Sequence, residues 1–362
     1  MKRLLKDVVV QQRSSLKLSD VTESGKYPVF GAAGLVGYRN TYQTDLPSVA
    51  IIKDGAGIGR VSLLPKNSSV LGTMQMLTPN VDVDNVFLYY YLTHLHLGKS
   101  FTGSTIPHIY FKNYGASSFP SFKQDEQVRI AIDLTNISNA IENKHVQLNM
   151  LDGLVKSRFI EMFPDWDLSL QKANWIELKA LTKIYTGTTP KTEQKDYWGG
   201  DIPWVTPAEL NSDSYIVSDT ERHLTEAGRA SKSLSLMPVG TVLLTTRAPI
   251  GKVAICGVPM ACNQGFKNFE CGSELNPTFL YVLLKLNVEW LQSQGTGTTF
   301  KEISKTKAEG IKISVPDIES QVAFENFYKL IDKSRFIVQS QIKDLQELLD
   351  SKMDEYFGGD TE

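Results

Sequence analysis

"VRIAIDLTNISNAIENKHVQLNMLDGLVKSRFIEMF" (residues 128–163) places apolar side chains at Ile130, Leu134, Ile137, Ile141, Leu148, Leu151, Val155 and Met162. The steps alternate between four and three, with Lys144 and Arg158 standing in the remaining slots. A seam with a repeat of about 3.5 residues predicts a long helix that pairs with another helix. The partner is written later in the same chain. Phe324, Tyr328, Ile331, Arg335, Val338, Ile342, Leu345, Leu349, Lys352 and Tyr356 each follow a position of the first seam by 194 residues. Gln127 and Gln321, Ser157 and Ser351, and Phe163 and Phe357 keep that offset. Pro120 and Pro316 precede the two runs, and Asp125, Glu126, Asp317 and Glu319 open them, as the positive end of a helix favours. Helices of about 37 residues would be about 55 Å long, and a stripe of that length needs cover. Antiparallel pairing of the two is therefore expected. Ile130, Leu134, Ile137, Ile141, Leu148, Leu151 and Val155 would form one side, and Tyr328, Ile331, Val338, Ile342, Leu345 and Leu349 the other.

The duplication extends beyond the helices. "KDGAGIGRVSL" (53–63) and "TTRAPIGKVAI" (245–255) share Ile-Gly-basic-Val at an offset of 192, as do Phe87-Leu88-Tyr89 and Phe279-Leu280-Tyr281. One register held over some fifty residues marks a repeated unit, not a chance match. Short apolar runs such as "SVAII" and "TVLLTT", bounded by Gly, Pro, Asn and Asp, read as strands. "NVFLYYYLTHLHL" and "NPTFLYVLLKLNVEWLQ" read as helices at matched positions. The expected fold is α+β with a pseudo-two-fold internal repeat. Two mainly-β globular domains, 1–122 and 164–316, are joined by helices at 123–163 and 317–357 that form an antiparallel coiled coil, and a tail follows at 358–362.

The chain has 362 residues, 41% hydrophobic and 22% charged, which is room for two domains and enough apolar content to fold them. No apolar run approaches the roughly 18–20 residues of a membrane span, and the N-terminus lacks the apolar stretch of a signal peptide. Cys256, Cys262 and Cys271 form no Cys-x-x-Cys, so free thiols in a reducing cytoplasm are expected. The net charge is −2, but its distribution is uneven: residues 1–112 hold 12 basic and 7 acidic residues, residues 317–362 hold 5 and 11. The helical segments are thus the acidic ones.

Sequences that suggest catalysis weaken on inspection. Gly55-x-Gly57-x-Gly59 follows a strand, but a nucleotide-binding loop needs a helix next, and "RVSLLP" continues as strand. "NPTF" (276–279) resembles a methyltransferase loop, yet Asn276-Pro277 is also a helix start, with Asn as cap and Pro in the first turn. "PDIESQ" (316–321) has Gln321 where a nuclease would carry lysine. His94 and His96 lie among tyrosines and read as packing residues. No catalytic residue and no metal ligand is therefore assigned. Recognition remains, carried by polar and basic loops. The candidates are Arg39, Asn40, Lys53, Arg60, Ser104, Thr105, His108 and Lys112 in the first block. In the second they are Thr188, Thr189, Lys191, Arg247, Lys252, Asn263, Gln264, Lys267, Thr298, Thr299 and Lys301. Hydroxyls, amides and amines of this kind suit phosphate oxygens and base edges.

"GTTPKTEQKDYWGGDIPWVTPAEL", "TTRAPIGKVAI" and "NQGF" resemble the target-recognition domain of the specificity subunits of Type I restriction–modification enzymes, and "YPVFGAAGLVGY" resembles another variant of it. The two long helices are similar to that family's spacer regions, and the resemblance covers essentially the whole chain in order. It implies a non-catalytic scaffold in which each domain reads one half of a bipartite double-stranded DNA target. The helices would set the gap and dock two methyltransferase subunits, and restriction (motor) subunits would complete the complex. S-adenosylmethionine, ATP and Mg would belong to those partners, with no cofactor on this chain. Two other readings stay open from the residues alone: an adenine methyltransferase or nuclease acting by itself, and a DNA-free decoy or adaptor whose helices alone matter.

Overall fold

The computed structural model describes residues 3–99, 101–102, 107–211, 213–247, 249–297 and 301–358. Ser104, Thr105, Thr298 and Thr299 lie outside the described residues. The chain divides into two compact units, Met1–Gln147 with Val338–Glu362, and Leu148–Ile337.

In the first unit, β1 (Val9–Arg13), β4 (Ser48–Ile52), β5 (Val61–Leu64) and β7 (Met74–Pro79) form an antiparallel sheet in the order β1-β7-β4-β5. A second sheet, β3-β2-β6, contains β2 (Tyr27–Gly31), β3 (Gly34–Arg39) and β6 (Ser69–Val70), with β2 and β6 parallel. "SVAII" has no exposed position because both of its faces are covered. Val49 and Ile51 join the core built around α1 (Asn85–His94), while Ala50 and Ile52 join the one that includes Val70 and Phe30. Period-two alternation thus feeds two different cores. A short helix, α2 (Phe111–Tyr114), sends Tyr114 inward.

The long helices are α3 (Gln124–Met162) and, at the end of the chain, α9 (Ile318–Phe357). Ile130, Ala131 and Leu134 of α3 share the first unit's core with Met353 and Phe357 of α9. The Phe357 ring sits 5.3 Å from Phe87 and 5.9 Å from Tyr91.

The second unit repeats the plan. Its main sheet has the order β11-β14-β13-β16-β9, from β9 (Thr182–Thr186), β11 (Ile216–Val217), β13 (Val242–Leu244), β14 (Val253–Cys256) and β16 (Lys267–Cys271). The counterpart of the small sheet joins β10 (Trp198–Val205), β12 (His223–Leu224) and β15 (Ala261–Cys262), again with one parallel pair. A strand pair, β8 (Ile176–Glu177) with β17 (Lys312–Ile313), is added. The helices are α4 (Leu178–Leu181), α5 (Glu226–Ala230), α6 (Pro277–Leu286), α7 (Val288–Gln294) and α8 (Lys305–Glu309). Val155, Phe159 and Phe163 of α3 pack with Phe324, Tyr328 and Ile331 of α9. Phe163 lies 5.7 Å from Phe324, and Arg335 forms an ion pair with Asp152. Positions rising along α3 meet positions falling along α9, so these segments are antiparallel.

Every position of both seams is buried or half-buried except Arg158. Each unit takes in one stretch of each helix. The seam residues nearest the lobes have two surfaces to bury against, the opposite helix and their own sheet-and-helix core, and that fuses them to it.

A paired device ties helix to lobe. Asp84 caps α1 by accepting the Val86 and Phe87 N–H groups at 2.9 and 2.8 Å, and Asn276 caps α6 by accepting those of Thr278 and Phe279 at 2.8 and 3.2 Å. "NPTF" is thus a helix start. Buried Gln127 accepts the Asp84 N–H (3.0 Å) and donates to the carbonyls of Asp82 (3.3 Å) and Phe122 (3.0 Å). Buried Gln321 does the same with Asn276 (2.8 Å), Glu274 (3.0 Å) and Pro316 (2.8 Å). All three bonds recur at the repeat offset.

His94 ends α1, its Nδ1 3.6 Å from Asp354, and burial draws its pKa below the ordinary value. Cys256, Cys262 and Cys271 are free, with thiols pushed up to about 12 by burial, so they are protonated at neutral pH. Among the described residues no helix is long and apolar enough to cross a membrane.

Candidate nucleic-acid interface

The repeated stretches are hairpins. β4 and β5 are joined by a turn in which Gly55, Gly57 and Gly59 have φ of 83°, 79° and 81°. A Cβ on Gly59 would stand 2.1 Å from the Gly98 nitrogen, so no other residue fits there. β13 and β14 are joined the same way, with Gly251 at φ 101° against Val288. A strand follows each turn, so neither meets a ligand with a helix N-terminus as a dinucleotide loop does. In the second turn the Thr245 hydroxyl donates to the Pro249 carbonyl (2.7 Å) and accepts the Lys252 N–H (2.9 Å), fixing the loop from within.

Each hairpin is bridged to a later loop, with the carboxylate on the hairpin in the first unit and on the loop in the second. Asp54 pairs by backbone with His108, whose Nδ1 lies 2.6 Å from its carboxylate. Arg247 pairs by backbone with Glu302, whose carboxylate it meets at 2.6 Å. The Arg247 guanidinium holds the Glu302 carboxyl below the usual range, with Lys267 adding to the effect. The two units thus share a backbone device and reverse its chemistry.

The structure distributes the predicted contact residues unevenly. Lys53, half-buried, lies 3.7 Å from Asp54, and His108 stacks on Tyr110 at 6.3 Å. Arg60 is exposed, with a 3.5 Å bond to the Ala32 carbonyl. In the second unit Thr189 donates to Gln264 (2.7 Å), which joins two of the expected loops, and Asn263 accepts the Gly265 N–H (2.8 Å). Lys191 and Lys301 are exposed. The Thr188 and Lys191 carbonyls receive the indole N–H groups of Trp204 and Trp198, each at 3.2 Å. Two candidates change character. Lys267 is buried, its ammonium 3.4 Å from both Thr246 and Glu302, and Lys252 donates to the Pro207 carbonyl at 2.8 Å. Both amines hold the fold together instead of standing free for a ligand.

Sequence reasoning missed Arg222, whose guanidinium lies 3.5 Å from the centre of the Trp198 ring and 5.5 Å from that of Trp204. The only available signal was the interleaving of Trp and Arg in one loop-rich stretch. It also missed Gln75, which matches Lys267 at the repeat offset. Among the described residues no three His, Cys, Asp or Glu side chains gather as a metal site.

A family model described as the Type I restriction modification DNA specificity domain matches residues 1–151 and 172–345. The Type I restriction enzyme MjaIX specificity subunit of Methanocaldococcus jannaschii is 38% identical over 173 residues, 46% of this chain and 40% of that relative. The match to this relative thus spans less than half of its length. A type I restriction enzyme specificity subunit of Escherichia coli is 22% identical over 362 residues, covering 94% of this chain and 87% of the relative. Among solved structures, an S subunit from M. genitalium superposes with a TM-score of 0.62 at 19% identity, over 99% of this chain and 96% of the other. A chain from a structural study of type I R-M complex assembly gives a TM-score of 0.58 at 13% identity, over 99% and 98%. These two structures share the fold.

Proposed function

Because this chain belongs to the type I restriction–modification DNA specificity family, we propose that it is the sequence-reading, non-catalytic subunit of such a complex. Each unit reads one half of a bipartite duplex target. The long helices set the unspecified gap and dock two methyltransferase subunits, and restriction subunits join that assembly. S-adenosylmethionine, ATP and Mg act on those partners, and the complex works in the cytoplasm. One observation carries this reading: two copies of one unit keep the hairpin, the cap and the glutamine clasp, while the loop pair reverses from Asp54–His108 to Arg247–Glu302. A shared frame with divergent loops supports readers of two different half-sites.

Genome-wide methylation mapping tests it, in cells carrying this chain and its methyltransferase partner and in matched cells lacking the chain. The expected result is one bipartite motif with unlike halves, present only with the chain. Loss of no motif would favour the DNA-free adaptor and overturn the proposal.

A further inference from the structure

We propose that the first unit carries a phosphate-binding cleft at a position that the second unit fills with its own ion pair. A cavity of about 340 Å³ opens where the end of β1, the loop after β4 and the segment entering α2 meet. Arg13, Lys53 and Lys112 line it, as does Tyr110, with the Lys112 ammonium 5.6 Å from that ring centre. The single carboxylate among the lining residues, Asp54, is already engaged by His108 at 2.6 Å and Lys53 at 3.7 Å. Three cations against one paired anion leave the cleft positive.

The second, independent observation is Gln75, which also lines the cleft and is only 3% exposed. Its Oε1 accepts the Tyr114 hydroxyl at 3.0 Å, while its Nε2 has no partner. A buried amide donor left unpaired costs stability, and a ligand oxygen would supply what the fold withholds. Amine, guanidinium and amide side chains lining one space suit a phosphoryl group.

The repeat supplies the contrast. Gln75 sits opposite Arg13 on β1, and Lys267, 192 positions later, sits opposite Thr186 on β9. There the donor is a lysine that meets Glu302 and Thr246 at 3.4 Å, and Glu302 also takes Arg247. That donor is neutralised from inside the protein. The phosphate belongs either to the DNA backbone, in which case the cleft rests on the function proposed above, or to a free phosphate or nucleotide.

Titrating the full chain with inorganic phosphate, followed by phosphorus NMR line width, tests the cleft directly. Saturable binding is expected. Lys112→Ala, at an exposed position, and Gln75→Glu, which keeps the acceptor for Tyr114 and places a carboxyl where the donor was, should each weaken it about tenfold. Lys232→Ala, at an exposed position of the second unit, should leave it unchanged. Duplex titrations across a salt series, with the methyltransferase partner present, separate the sources. A salt slope reduced by about 1 in Lys112→Ala identifies a backbone phosphate. An unchanged slope with weakened phosphate binding identifies a free phosphate or nucleotide. Phosphate binding that survives without duplex binding refutes the DNA reading and leaves the cleft standing. Absence of phosphate binding, or binding insensitive to both first-unit variants, overturns the cleft.

Discussion

A single glutamine, used twice, carries much of the join between helix and lobe. Each copy closes three bonds to backbone groups that the cap and the helix entry leave open, in a buried setting where water cannot replace them. Gln321→Leu should therefore cost about 2–4 kcal/mol by orphaning those groups, well above the cost of an exposed substitution such as Gln346→Leu. Urea unfolding followed by tryptophan fluorescence measures it, and a loss below that of the exposed control would show that the bonds contribute little. The sequence revealed the paired positions but not their use, because a register match says nothing about which backbone groups lie within reach. The same limit hid Lys267. Its strand pattern is visible in "NQGFKN", whereas the neutralising Glu302 lies 35 residues away and is met only by folding.

The long helices were the most legible elements, since a seam sustained over many turns depends on local spacing alone. What spacing does not report is how much of the seam a lobe also covers. Leu134 is fully buried and Leu148 only half-buried, although both are leucines of one stripe. Leu134→Ala should cost about 2–5 kcal/mol and Leu148→Ala clearly less, because the cavity left at Leu134 is closed on every side. Thermal unfolding of the two variants orders them, and equal losses would mean that the lobe adds nothing to the seam. The hairpins were legible for a different reason: a glycine needed at positive φ, as at Gly59 and Gly251, leaves a fixed mark in both copies. The sequence reads as one helix through α6 and α7, whereas the fold breaks it at Asn287. There the side chain bonds the Trp166 and Leu283 carbonyls and accepts the Leu168 N–H, a choice made by distant partners.

For the molecule as a whole, the α+β class and the internal repeat were readable because duplication writes every long-range relation twice. The contact loops were not, since a lysine in a polar stretch looks the same whether it ends free or paired. If the helices set the gap of a bipartite target, four residues inserted after Lys144 in α3 and after Val338 in α9 would add about 6 Å to each helix. Methylation mapping should then show a changed gap between unchanged half-sites. An unaltered gap with full methylation would exclude the helices as its ruler.

The core around Phe87 and Tyr91 is finished by Met353 and Phe357, which belong to the last turns of α9. Synthesis runs at about 5–20 residues per second, so the ribosome delivers Phe357 roughly 10–40 s after α3 has emerged. Until then the first-made lobe holds an open apolar socket. Its maturation waits on the synthesis of α9, and a chaperone has that interval in which to guard it.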